Sequence, residues 1–260
     1  NIDTKQLSPK FILSIIDKWK NRGLYPNEVI IKGKDIYEKN ILPLYKIYQQ
    51  KLIDLNSCDF GDLILHTVKI FEKNNDIKEI YANNFKYILV DEYQDTNYSQ
   101  YLIIKALSDR HQNLCVVGDD SQSIYSFRGA NIDNILNFKK HYPDCKTYKL
   151  EQNYRSSNNI VQCANSLIQN NQFKLDKTIW TQNNDGEKIT INKSISDSDE
   201  GRFVASNIFE KKNNELLNNS SFAVLYRTNA QSRAVEDALR KINIEYQVFG
   251  GLSFYQRKEI

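Results

Sequence analysis

The chain has 260 residues, of which 40% are hydrophobic and 26% are charged, and its formal net charge of +3 says little about partners. This composition is typical of a soluble globular protein, and no apolar run approaches the roughly 18 residues of a membrane span, so we expect a cytoplasmic protein without a membrane partner. The four cysteines and three histidines are scattered, which excludes the patterns typical of a disulfide framework or a metal cluster.

The first part of the chain shows a helical pattern. Ser8 and Pro9 predict the start of a helix, because Ser is a favourable N-cap and Pro is favoured at the first helical position. A second helical pattern runs through residues 41–55, and Asp59 or Asp62 can cap a third helix. We interpret the aromatic residues of the first two helices as core rather than as ligand-stacking groups: Trp19, Tyr45 and Tyr48.

Strands and helices then alternate. The apolar run at 87–90 predicts a strand buried on both faces, as in a parallel sheet. A capping-box-like helix start at Asn97 and a second apolar run at 114–117 complete a unit of the size expected for a right-handed βαβ crossover. A third strand is predicted at 147–150, and all three strands are followed by dense polar sequence. The pattern therefore indicates an α/β fold with a parallel sheet.

The pattern restarts near residue 156, where Ser156 and Ser157 can cap a further helix. More strands are predicted at 188–191, 222–226 and 246–249, with helices between them. This indicates a second α/β unit that follows the first without a long linker. We therefore predict three divisions of the chain: 1–57, 58–153 and 154–260.

Two adjacent carboxylates, Asp91 and Glu92, follow the first predicted strand directly. Open parallel sheets bind ligands at the carboxyl ends of their strands. A carboxylate at that position can hold Mg²⁺, and a second can orient an attacking water. The alternative is a strand that ends in solvated acids before a helix, and these residues alone leave the two interpretations open.

The polar segment after the second predicted strand combines acids, an amide, two aromatic residues and an arginine. The Gln122 amide both donates and accepts, so it can hydrogen-bond a phosphate-bound water and a neighbouring group at the same time. Tyr125 and Phe127 can stack on exposed bases, and Arg128 can bind a phosphate through two hydrogen bonds. The alternative for this segment is a well-packed aromatic turn.

Tyr154 and Arg155 follow the third predicted strand. An arginine at the edge of a second domain can reach the γ-phosphate in the site of the first domain, and the tyrosine can stack on a nucleobase. The alternative is a surface arginine paired with Glu151.

Five segments resemble, in order and spacing, consecutive motifs of superfamily 1 DNA helicases of the UvrD/PcrA/Rep type. The resemblance covers about residues 58–260 and is weaker over 1–57, which is similar to part of the helical subdomain inserted in the first RecA-like domain. The segments are VDEYQDTN, VVGDDSQSIYSFRGA, LEQNYRS, AVLYRTNAQSR and the final GGLSFYQRKEI. The resemblance implies RecA-like P-loop NTPase domains, which have parallel sheets with helices on both faces, and the cofactors ATP and Mg²⁺.

The resemblance also implies roles for residues of the nucleotide site. Asp91 and Glu92 would bind Mg²⁺, and Glu92 would also polarise the hydrolytic water. Gln122 would sense the γ-phosphate and couple it to DNA. Tyr154 would stack on the adenine, and Arg155 would contact the γ-phosphate.

A second set of implied roles concerns DNA. Tyr125 and Phe127 resemble the aromatic residues that stack on single-strand bases, although the second position is often Trp in this family. Arg128 is similar to an arginine near the DNA and the nucleotide cleft. Arg227 and Asn229 resemble DNA-backbone contacts of the second domain.

Several family features are missing from the sequence. No G-x-x-x-x-G-K-[ST] loop occurs, and the adenine-recognising glutamine motif and the later motifs with a second arginine finger are absent. Because the chain also contains no Met, we expect it to be part of something longer. Phosphate binding relies on the glycine-rich loop and its Lys, so this piece alone is expected not to hydrolyse ATP efficiently.

The resemblance predicts an ATP-dependent helicase and translocase that moves 3′ to 5′ on single-stranded DNA and unwinds duplex in DNA repair or replication. Its expected partners are single-stranded DNA and single-strand/duplex junctions. One alternative is a subunit of a helicase–nuclease, which shares these motifs. Another is a non-hydrolysing single-stranded DNA-binding module, and a third is a transporter-type ATPase, for which no Leu-Ser-Gly-Gly-Gln-like signature is found.

Overall fold

The computed structural model describes residues 8–31 and 36–249, and these residues form ten α-helices and two strands. The predicted motif GGLSFYQRKEI lies outside them. Contacts divide the chain into two compact units, Asn1–Gly186 and Glu187–Ile260. These units are defined by contacts, whereas the boundaries predicted at 57 and 153 concern family domains. The predicted boundaries are therefore not tested and stay predictions. No helix in the described part is long and apolar enough to cross a membrane.

Helices make up most of the first unit. They are α1 Pro9–Lys20, α2 Ile36–Asp54, α3 Phe60–Lys73, α4 Asn75–Asn84, α5 Tyr98–Ser108, α6 Asp133–Leu136, α7 Phe138–His141 and α8 Asn158–Ile168. Helix α1 packs against α2 and α3, α3 packs against α4 and α5, and α4 packs against α5. A turn at Asn137 separates α6 from α7. Helix α4 was not predicted from the sequence.

Side-chain caps fix the starts of three helices, as predicted from the sequence. Ser8 accepts a hydrogen bond from Phe11 N–H at the start of α1 (3.3 Å). Asp59 and Asp62 form a reciprocal capping box at the start of α3. Asn97 does the same with Gln100 at the start of α5. Each cap satisfies backbone N–H groups that the helix itself leaves without a partner.

The core of the helical region forms around the aromatic residues of α1 and α2. Trp19 and Tyr45 are buried and stack at 5.7 Å between ring centroids, together with Ile16 and Ile41. Tyr48 is partly buried against the same cluster. The prediction that these aromatic residues belong to the core is confirmed.

The two strands of the first unit lie side by side. Strand β1 (Ile88–Val90) pairs in parallel with β2 (Leu114–Val116), and α5 provides the crossover between them. The prediction of a parallel βαβ unit is confirmed. Leu89 remains 78% exposed and its partner Cys115 is also exposed, whereas their neighbours along both strands are partly buried. The prediction that β1 is buried on both faces is therefore wrong, since one face of this sheet is open.

The third predicted strand, at 147–150, is absent from the described structure, in which Tyr148 and Leu150 are mostly exposed. A strand forms only where a neighbouring strand supplies N–H and C=O partners. Among the described residues, β1 and β2 form a sheet with each other and with no third strand. Three further predicted strands, in the second unit, are also absent from the described structure because their residues have no strand pairing there: 188–191, 222–226 and 246–249.

The second unit is built on two helices, α9 (Asp197–Glu215) and α10 (Ser232–Lys241). Gly201 allows their close approach, because a Cβ at this position would lie 2.4 Å from the carbonyl oxygen of Ala234. The core of this unit is a cluster of buried apolar residues: Ala205, Ile208, Ala238, Leu239 and Ile244.

Candidate nucleotide and nucleic-acid site

The carboxyl ends of β1 and β2 meet at the same edge of the sheet. The N–H of Val117 donates to the carbonyl oxygen of Val90 (2.8 Å), and the N–H of Tyr93 donates to that of Val117 (2.9 Å). These bonds extend the parallel pairing beyond the strands. The polar residues that follow the two strands are thereby brought next to each other.

Asp91 and Glu92 are both exposed at this edge. Glu92 has a left-handed backbone conformation (φ 50°, ψ 41°), which is uncommon for a residue other than Gly and frequent at functional sites. Its N–H donates to Asp91 Oδ1 (2.9 Å). Within the described residues, neither carboxylate forms an ion pair with a Lys or Arg, so both remain able to bind a cation.

Gln94 connects Glu92 to the end of β2. This glutamine is fully buried, and its Nε2 donates to Glu92 Oε2 (2.9 Å). Its Oε1 accepts a hydrogen bond from the N–H of Asp119 (3.0 Å). No role for Gln94 was predicted from the sequence, although an amide among three acids directly after an apolar strand is a signal for such a role.

Asp119 carries the connection on to Gln122. Its Oδ2 accepts a hydrogen bond from Gln122 Nε2 (2.8 Å), and its Oδ1 accepts one from the N–H of Ser121 (2.9 Å). Burial alone would raise the pKa of the Asp119 carboxyl, but the Lys177 ammonium, the Gln122 amide and the Ser121 N–H outweigh it and hold the pKa below its ordinary value. Asp119 therefore stays an acceptor for the exposed Gln122.

An exposed aromatic turn follows Gln122. The rings of Tyr125 and Phe127 lie 6.0 Å apart, and the Arg128 guanidinium lies 5.2 Å from the first ring and 5.5 Å from the second. Phe127 is 70% exposed and Tyr125 is 38% exposed. Their faces are therefore accessible, whereas a turn packed for stability alone would bury them. The backbone of this turn contacts Asn21, whose Nδ2 donates to the carbonyl oxygen of Arg128 (3.4 Å).

Tyr154 and Arg155 lie in a separate turn. The hydroxyl of Tyr154 donates to Gln152 Oε1 (2.8 Å), and its ring is 78% exposed. Arg155 is exposed, and in the described part of the chain its guanidinium has no carboxylate partner. Glu151 Oε1 instead accepts the N–H of Thr178 (2.9 Å), so the alternative of an Arg155–Glu151 surface pair is wrong.

Arg227 and Asn229 belong to the second unit, in the loop before α10. Both residues are exposed. Gln231 Oε1 accepts the N–H of Arg227 (3.0 Å), and Ser232 Oγ donates to the carbonyl oxygen of Asn229 (2.9 Å). These bonds hold the loop and leave both polar side chains accessible to solvent.

The donor set at the end of β1 is compatible with Mg²⁺. Oxygen ligands suit this ion, which is usually held by one or two carboxylates while phosphates and waters fill its other positions. No group of three or more His, Cys, Asp or Glu in metal-binding proximity occurs among the described residues. One oxygen of the adjacent Asp95 is buried without a hydrogen-bond partner in the described structure, which adds negative potential near Asp91 and Glu92.

Comparison with known families agrees with this geometry. Residues 1–143 match the model of the UvrD/REP helicase N-terminal domain, and residues 148–260 match that of the UvrD-like helicase C-terminal domain. The chain therefore belongs to the UvrD/REP family of superfamily 1 helicases, whose domains have an α/β RecA-like fold.

Curated relatives match along the whole chain. It is 45% identical over 260 residues to proteins named ATP-dependent DNA helicase PcrA from Leuconostoc citreum and from Bacillus subtilis (strain 168). A protein of the same name from Staphylococcus epidermidis is 44% identical over the same length. The chain spans 35% of the length of the first two relatives and 36% of the third.

Proposed function

We propose that this chain is the middle part of an ATP-dependent DNA helicase that moves 3′ to 5′ on single-stranded DNA and unwinds duplex in DNA repair or replication. Family membership and the names of the relatives support an ATP-driven activity on DNA. Because the chain spans about a third of these relatives, the activity is proposed for the full-length protein. Its proposed substrates are single-stranded DNA and single-strand/duplex junctions, and its proposed location is the cytoplasm.

The proposed architecture is that of the family. Residues 1–57 would form part of a helical subdomain, 58–153 part of the first RecA-like domain, and 154–260 part of the second. The parallel pairing of β1 and β2 supports a sheet of the P-loop NTPase type. The open face of this sheet around Leu89 leaves room for the further helices that such a domain has on its second face.

The observation that carries the proposal is the hydrogen-bonded path from Glu92 through Gln94 and Asp119 to Gln122. This path joins the residue expected to orient water with the residue expected to sense phosphate. The exposed aromatic turn begins only three residues after Gln122. A change at the nucleotide can therefore reach the DNA-binding surface through a short segment.

The nucleotide chemistry follows from these positions. Asp91 and Glu92 would hold Mg²⁺, which when bound neutralises negative charge on the phosphates. Gln94 fixes the carboxylate of Glu92, which can then orient a water for attack on the γ-phosphate. Because Asp119 holds one amide hydrogen of Gln122, the other hydrogen and Oε1 remain for a phosphate oxygen and the attacking water.

Arg155 and Tyr154 are proposed to complete the nucleotide site. A guanidinium without a carboxylate partner in the described structure is available to stabilise charge on a γ-phosphate. The exposed ring of Tyr154 offers a face for the adenine. Neither residue is hydrogen-bonded to Glu92 or Gln122, so we propose that closure of the two RecA-like domains on ATP brings Arg155 to the phosphates.

The DNA-binding surface is proposed to combine stacking and charge. Tyr125 and Phe127 would stack on successive bases, and Arg128 would add a cation next to both rings. Arg227 and Asn229 would contact the DNA backbone from the second domain.

The test is ATP hydrolysis by the full-length protein with and without single-stranded DNA. We expect hydrolysis to be strongly stimulated by single-stranded DNA, and the helicase to unwind a duplex with a 3′ single-stranded tail but not one with a 5′ tail. Hydrolysis that does not respond to DNA would contradict the proposal. The isolated 260-residue chain is expected to show little hydrolysis, because it lacks a glycine-rich phosphate-binding loop.

A further inference from the structure

Residues 175–183, here called the bridging segment, contact Asp119, which binds Gln122, and the adjacent Asp120. The N–H of Leu175 donates to Asp120 Oδ2 (2.9 Å). Lys177 Nζ donates to Asp119 Oδ1 and to Asp120 Oδ1. No motif of the family resemblance includes Lys177, which follows Asp119 by 58 residues in the sequence.

The bridging segment also contacts the turn that carries the candidate arginine. The N–H of Trp180 donates to the carbonyl oxygen of Glu151 (2.9 Å), and the N–H of Asn153 donates to that of Trp180 (2.7 Å). Further along, Asn183 Nδ2 donates to the carbonyl oxygen of Ser156 (3.0 Å). One short stretch of chain therefore joins the segment of the γ-phosphate sensor to the loop of the arginine.

The electrostatics of the cluster depend on Lys177. Its side chain is 19% exposed, and those of Asp120 and Asp119 are 1% and 32% exposed. One partly buried ammonium therefore neutralises one of two adjacent carboxylates. Burial would lower the pKa of Lys177, but the two carboxylates outweigh it and raise the pKa above its ordinary value, so the cation persists at neutral pH. Without it, the two negative charges would repel each other at a site where one is buried.

The contact of Lys177 with Asp119 has a consequence for Gln122. A carboxylate is planar, so fixing Oδ1 also fixes the direction of Oδ2. Lys177 and the Ser121 N–H hold Oδ1, and Oδ2 accepts the amide of Gln122. The orientation of the Gln122 amide therefore depends on a residue that is not among those proposed to bind the nucleotide or DNA.

We propose that Lys177 is a positioning residue that orients Gln122 through Asp119, and that the bridging segment couples Gln122 to the Arg155 loop. This inference deepens the proposed function and rests on the role that Gln122 has in it. Lys177 lies in the part of the chain matched by the C-terminal family domain, and Gln122 lies in the part matched by the N-terminal one. The coupling therefore connects residues of two family domains.

The test is a double-mutant cycle on DNA-stimulated ATP hydrolysis by the full-length protein. We expect Lys177→Met to lower kcat about tenfold while the KM for ATP changes less than about twofold. In a Gln122→Ala background the same substitution should change kcat less than about twofold, because the residue that Lys177 orients is already absent. An equal loss of kcat in both backgrounds would overturn the proposal.

Three further variants separate positioning from a general effect on folding. Lys177→Arg keeps the cation and is expected to restore most of kcat. Lys177→Gln can still donate to one carboxylate and replaces Lys177→Met in the cycle if that variant does not fold. Lys174→Met is the matched control and should leave kcat unchanged, since within the described residues the Lys174 ammonium donates only to the carbonyl oxygens of Ile168 and Gln169. A comparable loss of kcat in Lys174→Met would count against the proposal.

Hydrogen–deuterium exchange tests the coupling independently of hydrolysis. Lys177→Met should speed amide exchange in residues 119–123 and also in residues 151–156, whereas Lys174→Met should change neither. Unchanged exchange in both segments of Lys177→Met would overturn the coupling. If Gln122→Ala instead hydrolyses ATP like the wild type, the proposed function of Gln122 is wrong. The amide exchange rates of Lys177→Met then decide whether Lys177 couples the two segments.

Discussion

At the residue scale, the candidate site depends on side chains that support the catalytic candidates. Gln94 is buried and uses both ends of its amide, one toward Glu92 and one toward the backbone of Asp119. The amide can reach both partners only because Gly118 has no side chain. A Cβ at Gly118 would lie 2.6 Å from Gln94 Oε1 and 2.9 Å from Ile135 Cδ1, closer than packed atoms allow.

Replacing Gly118 tests this arrangement. We expect Gly118→Ala to displace Gln94 and to lower the free energy of unfolding by about 1–3 kcal/mol, the usual cost of overpacking. Hydrolysis of ATP should fall as well, because Glu92 loses its support. Urea unfolding and the hydrolysis rate are the measurements, and Ser126→Ala, at an exposed position of the same segment, is the control. Wild-type stability and wild-type hydrolysis in Gly118→Ala would refute the role of this contact.

The aromatic turn makes a separate prediction. Phe127→Ala should weaken binding to single-stranded DNA by about 1–3 kcal/mol, the contribution of one stacked base. It should also uncouple ATP hydrolysis from unwinding. Fluorescence anisotropy with a labelled oligonucleotide measures the affinity. The control Phe173→Ala replaces a similarly exposed phenylalanine outside the turn. If the two variants bind equally well, Phe127 is not a stacking residue.

At the element scale, the helices could be predicted better than the strands. The caps of α1, α3 and α5 are local, since each depends on a side chain and a backbone N–H only three residues apart. Strands depend on distant partners, so the strand predicted at 147–150 failed because its own residues say nothing about a pairing neighbour. For the same reason the open face of β1 could not be predicted from its own residues.

The contact between α1 and α3 also depends on a residue that the sequence did not single out. Lys20 is buried at the end of α1 and pairs with Asp59 Oδ2 (2.7 Å) and Asp62 Oδ1 (2.8 Å) at the start of α3. The two acids that cap α3 thus also anchor α1. Their capping role was predicted, but their partner on another helix was not.

Removing this cation should be costly. We expect Lys20→Met to lower the free energy of unfolding by about 3–5 kcal/mol, because it leaves the buried Asp62 carboxylate without its counter-charge. Urea unfolding followed by tryptophan fluorescence reports on the adjacent Trp19 core. Lys18→Met, at an exposed position of the same helix, should change stability by less than about 0.5 kcal/mol. Similar losses in the two variants would show that the buried pair has no special role.

The same contact predicts how stability depends on pH. Burial would raise the pKa of the Asp59 carboxyl, but the Lys20 ammonium, the Asp62 N–H and the Tyr48 hydroxyl hold it below the ordinary value of 3.8. A carboxyl whose pKa is lowered by folding stabilises the fold at pH values above its ordinary pKa. This stability is lost as the pH falls through the pKa of the folded state. The free energy of unfolding should therefore fall below about pH 4, and fall less steeply in Lys20→Met. A gain in stability on acidification would contradict this assignment.

At the scale of the whole molecule, the family could be predicted because the motifs are short, ordered segments. The motifs around Asp91 and Gln122 each follow a parallel strand, and adjacent parallel strands bring their carboxyl ends together, so the meeting of these residues was predictable. The connection through Gln94 and the contact of Lys177 with Asp119 could not be predicted. Gln94 lies within the motif VDEYQDTN, but its partner at Asp119 depends on the folded contact, and Lys177 lies outside every quoted motif and bonds to a residue 58 positions away.

The most direct measurement of the central claim is the rate of ATP hydrolysis in a single turnover by the full-length Glu92→Gln variant with saturating single-stranded DNA. The amide keeps the shape of the side chain but cannot accept a proton, so we expect the rate to fall at least roughly 100-fold while ATP binding is retained. Glu210→Gln, at an exposed position on α9, is the matched control and should hydrolyse ATP like the wild type. A Glu92→Gln rate equal to that of the control would contradict the assignment of this site as the centre of ATP hydrolysis.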